Sequence, residues 1–186
     1  MLARLASLGG SGTKWSNLGH AGVLLIDNKT GLTKYYEYGR YDKPVNRGIV
    51  QTQKVPDVKI KDGHPTKESL AAVLKVIARK STGGSRIEGA LIRTDKFKEM
   101  NQYAQDRLKL NKDKTREEYS LIDNNCGTFM VSTIEAGGVD LPAVVDPRPN
   151  SITEEIRSEH QTVDWSAKKR LKLGKPVVER EPEPAK

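Results

Sequence analysis

The sequence predicts an α+β fold, in which an antiparallel sheet packs against separate helices. Two segments of β-forming residues, 21–26 and 34–41, are joined by the turn-forming residues 27–31 and predict a β-hairpin. Later segments have the apolar spacing of amphipathic helices and are segregated from this hairpin. The predicted helices cover residues 66–79, 96–110 and 126–136.

The remaining segments add strands and one more helix to this outline. Residues 47–60 predict one or two further strands, and residues 87–93 predict another. Thr66 and Asp95 are the predicted N-caps of the first two helices. A capping-box pattern at residues 151–154 predicts the start of a last short helix.

The two ends of the chain differ in composition from the residues between them. Residues 1–14 are rich in Gly and Ser and predict a flexible N-terminus, followed by a single domain over residues 15–164. Residues 165–186 are rich in Lys, Pro and Glu, which predicts a basic, disordered tail. Of the net charge of +8, this tail carries +4 and residues 1–14 carry +2. The body is nearly neutral, so its charge says little about function.

Length and composition exclude several classes of protein. The 186 residues can bury one core, and the longest apolar run, residues 23–26, is too short to span a bilayer. One cysteine forms neither an intramolecular disulfide nor a cysteine-rich zinc site, so we expect no metal and no cofactor. The N-terminus lacks the apolar segment of a secretory signal. We therefore expect synthesis in the cytoplasm and no export by that route.

Cys126 is the first candidate for chemistry, because it follows Asn124 and Asn125 at the start of a predicted helix. Unpaired N–H groups and the positive end of the helix dipole stabilise a thiolate there and lower the pKa of the thiol. A lone cysteine is more often a small buried apolar residue. Its position shifts the balance, since thiol enzymes place their nucleophile at a helix start.

A thiol nucleophile needs a base, and His20 is the best placed of the three histidines. It lies at the mouth of the first apolar strand, where the end of a sheet can hold its side chain. His64 in a loop and His160 in a charged segment are interpreted as solvated. Taken alone, His20 would be a structural histidine, but pairing with Cys126 favours the catalytic interpretation.

The hairpin suggests Glu37 as a third member of this site. A four-residue loop places Glu37 opposite Gly22, and therefore diagonal to His20 on one face of the sheet. There it could orient the imidazole, while Gly22 and Gly39 would leave the face open for a substrate. A loop of odd length would turn the neighbours of Glu37 toward His20 instead. Glu37 is then a solvated strand residue, and both interpretations stay open.

Three segments together resemble a known family of enzymes. They are Gly-His-Ala-Gly-Val at 19–23, Tyr-Tyr-Glu-Tyr-Gly-Arg-Tyr at 35–41 and Asn-Asn-Cys-Gly-Thr-Phe at 124–129. This arrangement resembles the circularly permuted NlpC-like papain-fold cysteine hydrolases, in which a strand histidine precedes an Asn-Cys helix, as His20 precedes Cys126. Lecithin:retinol acyltransferase-like proteins share it. The resemblance covers about residues 15–140 and implies a papain-like antiparallel sheet against helices, with the catalytic cysteine at a helix N-terminus.

The resemblance also implies an activity and a destination. It implies a cysteine peptidase or amidase with Cys126 as nucleophile, His20 as base and Glu37 as the orienting residue. Small bacterial proteins of this kind include antibacterial type VI secretion effectors. Peptidoglycan peptide is then the expected substrate of a monomeric toxin that reaches a target cell's periplasm and could have a cognate immunity protein as partner. The usual orienting residue is His, Asn or Gln, which leaves the third member open.

Two other functions stay open. An acyltransferase or phospholipase of the lecithin:retinol acyltransferase-like type could use the same pair on a phospholipid ester, with the basic tail on an anionic membrane. Those proteins typically have Asn-Cys-Glu-His-Phe where this chain has Asn-Cys-Gly-Thr-Phe, which weakens the lipid interpretation. A non-catalytic binding protein could contact nucleic acid through its basic ends. Only Trp165 lies near those cations to stack on bases, so we expect no nucleic-acid partner.

Overall fold

The computed structural model describes residues 2–8, 19–43, 45–81, 83–141 and 146–175, with side chains described from residue 19 onward. The strands are β1 (Leu2–Leu8), β2 (His20–Ile26), β3 (Thr33–Gly39), β4 (Ile49–Thr52), β5 (Ile60–Lys61), β6 (His64–Pro65), β7 (Ile87–Arg93), β8 (Gln161–Ser166) and β9 (Arg170–Leu173). The helices are α1 (Lys67–Ser81), α2 (Phe97–Lys109), α3 (Cys126–Glu135) and α4 (Pro149–Glu159), and a short 3-10 turn, Leu110–Lys112, follows α2.

One seven-stranded sheet organises the molecule, with the strand order β4-β3-β2-β1-β7-β8-β9. Every pairing in it is antiparallel, and β5 and β6 form a separate two-stranded ribbon. Helices pack on both faces of the sheet. The predicted α+β architecture, an antiparallel sheet against helices, is confirmed. Within the described residues, no helix is long and apolar enough to cross a membrane.

The β2–β3 hairpin has the register expected for a four-residue loop, the first of the two alternatives that the sequence left open. Gly22 pairs with Glu37, and the Asp27 N–H donates to the Leu32 carbonyl at 2.9 Å, which closes the four-residue loop. Gly31 ends this loop at φ +79°, where a Cβ would lie 2.1 Å from a backbone oxygen. Only glycine fits that position, and the register of every side chain on the hairpin follows from it.

Strand β2 is buried on both of its faces, because a helical layer covers each side. Its side chains at Leu24 and Ile26 pack with Tyr35 and helix α1 on one face. The intervening side chains face α2, α3 and α4 on the other face. Side chains alternate along a strand, so a strand covered on both sides is a continuous apolar run, as residues 21–26 are.

The prediction of a flexible N-terminus is wrong for residues 2–8. These residues form β1, which pairs with β2 on one side and β7 on the other. Both neighbours offer backbone hydrogen-bonding groups, a tertiary contribution that the average composition of residues 1–14 does not reveal. Residues 1 and 9–14 of the same prediction lie outside the described residues.

The prediction of a disordered tail from residue 165 is wrong for residues 165–175. Strand β8 pairs with β7, and β9 pairs with β8. Trp165 and Leu171 are 6% and 3% exposed and belong to the main apolar core. Basic residues alternate with leucines along β9, and this period of two was hidden in the average composition of the tail. Residues 176–186 lie outside the described residues.

The predicted helices form, but two of their N-caps differ from the prediction. Thr66 caps α1 as expected, since its hydroxyl accepts a hydrogen bond from the first turn. At α2 the N-cap is Lys96 without a side-chain hydrogen bond, so Asp95 is not the cap. Helix α4 begins at Pro149, before the predicted capping box, because proline fits the first helical position.

The packing of β9 generates a test. Leu171→Ala should lower the free energy of unfolding by about 2–4 kcal/mol, because it leaves a cavity in the core. Lys172→Ala, at the exposed position beside it, should change it by less than about 0.5 kcal/mol. Urea denaturation of both variants measures the difference, and equal stability of the two would contradict the placement of β9.

Candidate active site

Cys126 is the first residue of α3, and Asn125 is the N-cap of this helix. The Asn125 Oδ1 accepts hydrogen bonds from the N–H groups of Gly127 at 2.7 Å and Thr128 at 3.1 Å. The Thr128 hydroxyl in turn accepts the Asn125 N–H at 2.8 Å, which completes a capping box. The sulfur therefore lies at the positive end of a firmly capped helix.

The segment before α3 is held by the two asparagines. Asn124 and Asn125 are 5% and 1% exposed. Asn125 Nδ2 donates to the Leu121 carbonyl at 2.9 Å, and Asn124 Nδ2 donates to the Glu118 carbonyl at 2.8 Å. Buried amide side chains with satisfied donors fix a loop in one conformation. Cys126 is thus positioned from both the helix and the preceding turn.

The structure brings together the three residues that the sequence proposed for the site. The His20 Nε2 lies 3.3 Å from the Glu37 Oε2, and the Cys126 thiol is hydrogen-bonded to the His20 ring. Because Nε2 faces Glu37, Nδ1 is the ring nitrogen left for the thiol. Glu37 is 2% exposed, so it is not the solvated strand residue of the alternative interpretation.

His20 contacts residues on both faces of the sheet, Cys126 on one and Glu37 on the other, because it is the first residue of β2. Cys126 packs with Ala21 among the side chains that face α3 and α4. Glu37 is bonded to Tyr35, which belongs to the face that packs against α1. At a strand end an imidazole can contact both sides, and the backbone there turns at Gly19, which has φ +68°.

The expectation that two glycines leave the sheet face open for a substrate is wrong. A Cβ on Gly22 would lie 2.4 Å from the Tyr35 hydroxyl, and one on Gly39 would lie 2.9 Å from the Tyr41 ring. The glycines make room for these two rings. Tyr35 donates a hydrogen bond to the Glu37 Oε2 at 2.9 Å, and the Tyr41 hydroxyl lies 3.0 Å from the His20 Nε2.

Sequence reasoning therefore missed both tyrosines, although a signal was present. Tyr35 is two residues from Glu37 on the same strand, and Tyr41 is two residues beyond Gly39. A glycine leaves empty the position that a side chain would fill on the face of a sheet. The ring of an aromatic residue near it can occupy that position, and this was the signal.

The pKa values of the central pair are displaced in opposite directions. Burial disfavours the imidazolium, but hydrogen bonds to Cys126 and Glu37 and the charges of both raise the pKa of His20 to about 10. Burial also disfavours the thiolate, yet the hydrogen bond and positive charge of His20 lower the pKa of Cys126. The Ala21 N–H and the Tyr119 hydroxyl act in the same direction. The site thus favours a thiolate–imidazolium pair.

The carboxylate of Glu37 is held in its charged form despite burial. Burial alone would raise its pKa, but the hydrogen bonds and charge of His20 and the hydroxyl of Tyr35 lower it. Burial and the adjacent negative charge raise the pKa of Tyr35 well above its ordinary value, so this hydroxyl stays a neutral donor.

Tyr119 is a second residue that sequence reasoning did not find. Its hydroxyl contacts both the thiol and the backbone N–H of Cys126. The ring stacks on Tyr38 at 5.6 Å between centroids, and the Arg40 guanidinium lies 4.8 Å from its centroid. These contacts place a phenol beside the sulfur. Local periodicity carried no signal for it.

The two other histidines lie on different elements. His64 is on β6, and His160 follows α4. Among the described residues, no group of three His, Cys, Asp or Glu side chains is arranged to hold a metal ion.

The antiparallel sheet and its helices define an α+β protein. A thiol at a capped helix start, beside a strand imidazole and a buried carboxylate, is the arrangement of a papain-like fold. Comparison with known proteins identifies the family. The family model described as type VI secretion system effector TseH-like matches residues 2–139, and the chain belongs to this family. A type VI effector is secreted by a route other than Sec.

A solved structure supports the same assignment. The crystal structure of the type VI secretion system effector TseH is 31% identical to this chain, with a TM-score of 0.84. The alignment covers 94% of this chain and 97% of that one. No curated protein matches the sequence. The circularly permuted NlpC-like relationship stays a prediction.

The ionisation of Cys126 can be titrated directly, because the sequence contains one cysteine. Its thiolate should persist well below pH about 8.5, the ordinary midpoint of a thiol, and should be lost as the pH falls through the lowered pKa. In His20→Ala the midpoint should rise to about 8.5 or above, because the paired cation is gone. Ultraviolet absorbance of the thiolate measures this, with Cys126→Ser as the blank. An unchanged midpoint in His20→Ala would contradict the pairing.

The charge of Glu37 can be removed at nearly constant shape. Glu37→Gln keeps an acceptor for Tyr35 but loses the charge that favours the imidazolium, so the His20 midpoint should fall by about 1 unit or more. Glu88→Gln, on strand β7 of the same sheet and with a side chain 43% exposed, is the matched control and should leave the His20 midpoint unchanged. Proton NMR titration of the imidazole distinguishes the variants. Equal midpoints in the two variants would remove Glu37 from the site.

Proposed function

We propose that this effector is a cysteine amidase or endopeptidase that cleaves an amide bond in the stem peptides of peptidoglycan. The observation that carries the proposal is the Cys126–His20 pair, whose pKa displacements favour a thiolate beside an imidazolium. Membership in a family of type VI effectors supports a toxic role toward another cell. Peptidoglycan is a substrate class that such a toxin would meet in a target periplasm.

In the first step the Cys126 thiolate attacks the carbonyl carbon of the amide. The carbonyl π electrons move to oxygen and give a tetrahedral intermediate. His20, protonated on Nδ1, donates its proton to the leaving nitrogen as the C–N bond breaks. The products are a free amine and a thioester on Cys126.

In the second step water releases the acyl group. The neutral His20 imidazole takes a proton from the attacking water, and the thiolate leaves as the thioester C–S bond breaks. The proton retained on His20 restores the imidazolium, which the Glu37 carboxylate stabilises at Nε2. Glu37 is thus the orienting residue, and it is not consumed or protonated in either step.

The developing oxyanion needs hydrogen-bond donors near the sulfur. Asn125 occupies the N–H groups of Gly127 and Thr128, and the Cys126 N–H donates to the Tyr119 hydroxyl. A substrate carbonyl oxygen that displaces the Tyr119 hydroxyl would accept the Cys126 N–H in its place. The displaced hydroxyl is then a second donor beside the same oxygen.

An amide rather than an ester is favoured by the protonation of His20 at neutral pH. Expelling an amine requires protonation of the leaving nitrogen, whereas an alkoxide leaves more readily without it. A His20 pKa of about 10 keeps this proton available at neutral pH. A cognate immunity protein in the producing cell would complete the effector role.

Digestion of purified sacculi tests the activity. Wild type should release soluble muropeptides with a new free amine, whereas Cys126→Ala should release none. Ser132→Ala, in the same helix α3 but away from its start, is the folded control and should retain activity. Anionic liposomes are incubated in parallel and should yield no lysolipid. Equal muropeptide release by Cys126→Ala, or lysolipid without muropeptides, would overturn the proposal.

A further inference from the structure

The imidazole of His20 has a second partner at the same nitrogen as Glu37. The Tyr41 hydroxyl lies 3.0 Å from Nε2, whereas the Glu37 Oε2 lies 3.3 Å away. The two rings meet edge to face, with centroids 6.2 Å apart and planes at 83°. The shorter of the two contacts therefore belongs to the tyrosine.

We propose that Tyr41 is a positioning residue that shares the Nε2 proton of His20 with Glu37 and shields that hydrogen bond from water. The proposal rests on the proposed cysteine hydrolase function. It assigns to Tyr41 no contact with the reacting atoms. Its effect is on the orientation and charge of the imidazole.

The fold reserves the space for this ring. Gly39 ends β3, and a Cβ there would lie 2.9 Å from the Tyr41 ring and 3.1 Å from its hydroxyl oxygen. The ring can fold back along the end of the strand only because that Cβ is missing. A displaced ring would carry its hydroxyl away from His20.

The residues around the His20–Glu37 hydrogen bond become more buried in the order Tyr41, His20, Glu37. Tyr41 is 40% exposed, the His20 side chain 25% and the Glu37 side chain 3%. The tyrosine is therefore the outer wall of the His20–Glu37 contact. An ion pair shielded from water is screened less than an exposed one, so the wall strengthens the orienting effect of Glu37.

The hydroxyl serves as a neutral acceptor for the imidazolium. When His20 is charged, Nε2 carries a hydrogen, and an oxygen on either side can accept it. Burial and the adjacent charges of Glu37 and Cys126 raise the pKa of Tyr41, so it keeps its own proton. Tyr41 therefore stabilises the charged imidazole without competing for its proton.

Groups on several elements influence the titration of His20. Glu37 of β3 and Cys126 of α3 act on His20 directly. Tyr35 acts through Glu37, and Tyr119 through Cys126. Burial and the charge of Cys126 raise the pKa of Tyr119, and the charge of Arg40 opposes this rise. A change at Tyr41 alone leaves each of these groups in the protein, which isolates its contribution.

The test compares Tyr41→Phe with Tyr36→Phe in the full chain. Tyr36 lies on β3, the strand that precedes Tyr41, and donates a hydrogen bond to Asn101 at 2.8 Å, away from the site, so this variant controls for loss of a hydroxyl. Proton NMR titration of His20 needs no substrate and should show a midpoint about 0.5–1 unit lower in Tyr41→Phe than in wild type. Tyr36→Phe should match wild type.

Gly39→Ala is the second variant, since it keeps every tyrosine but displaces the ring. It should reproduce the lower His20 midpoint. On a muropeptide substrate, Tyr41→Phe should lower kcat several-fold with KM unchanged and move the alkaline limb of the profile to lower pH. If Gly39→Ala does not fold, the His20 midpoint of Tyr41→Phe is sufficient to test the proposal.

A wild-type His20 midpoint in Tyr41→Phe would overturn the proposal. An increase in KM alone would also overturn it, by assigning Tyr41 to substrate binding. Failure of the proposed function appears separately, as muropeptide release by Cys126→Ala. The titration of His20 would still be interpretable in that case.

Discussion

The contact between Cys126 and His20 is the interaction on which the rest of the site depends. The two residues are far apart in the chain and lie on different elements, so only the tertiary fold joins them. Each stabilises the charged form of the other against the cost of burial. The neighbouring groups act on one partner or the other, since Glu37 and Tyr41 contact the imidazole, while Tyr119 contacts the sulfur.

A buried carboxylate is costly unless it is bonded on all sides, and this requirement explains the composition of β3. Glu37 is 2% exposed and meets a hydroxyl from Tyr35 as well as the imidazole. The tyrosine reaches it because the opposing strand has Gly22 there. A glycine, a tyrosine and a glutamate in adjacent positions of a hairpin thus form one unit. Larger residues at Gly22 would separate the phenol from the carboxylate.

Local patterns predicted the parts of the fold that local interactions determine. The turn composition predicted the β2–β3 hairpin, and a four-residue loop was one of two alternatives for its register. Two asparagines before Cys126 identified the start of α3. Strands β1 and β8 were missed because each pairs with β7, which is distant in sequence from both. Strand β9 pairs with the adjacent β8, and it was missed because its alternation was hidden in the average composition of the tail. At the site, His20, Glu37 and Cys126 were found from register and helix position. Tyr41 was missed because the vacant position over Gly39 was interpreted as space for substrate.

Strand β1 has an architectural consequence. It is the central strand of the sheet, with β2, β3 and β4 on one side and β7, β8 and β9 on the other. Without its seven residues, Leu2–Leu8, two separate three-stranded sheets would remain, each with an unpaired edge in the middle of the molecule. Although it precedes every other strand in the chain, β1 cannot complete its pairing until β7 exists. The two halves of the sheet therefore become one only when the long-range pairing of β1 with β7 forms.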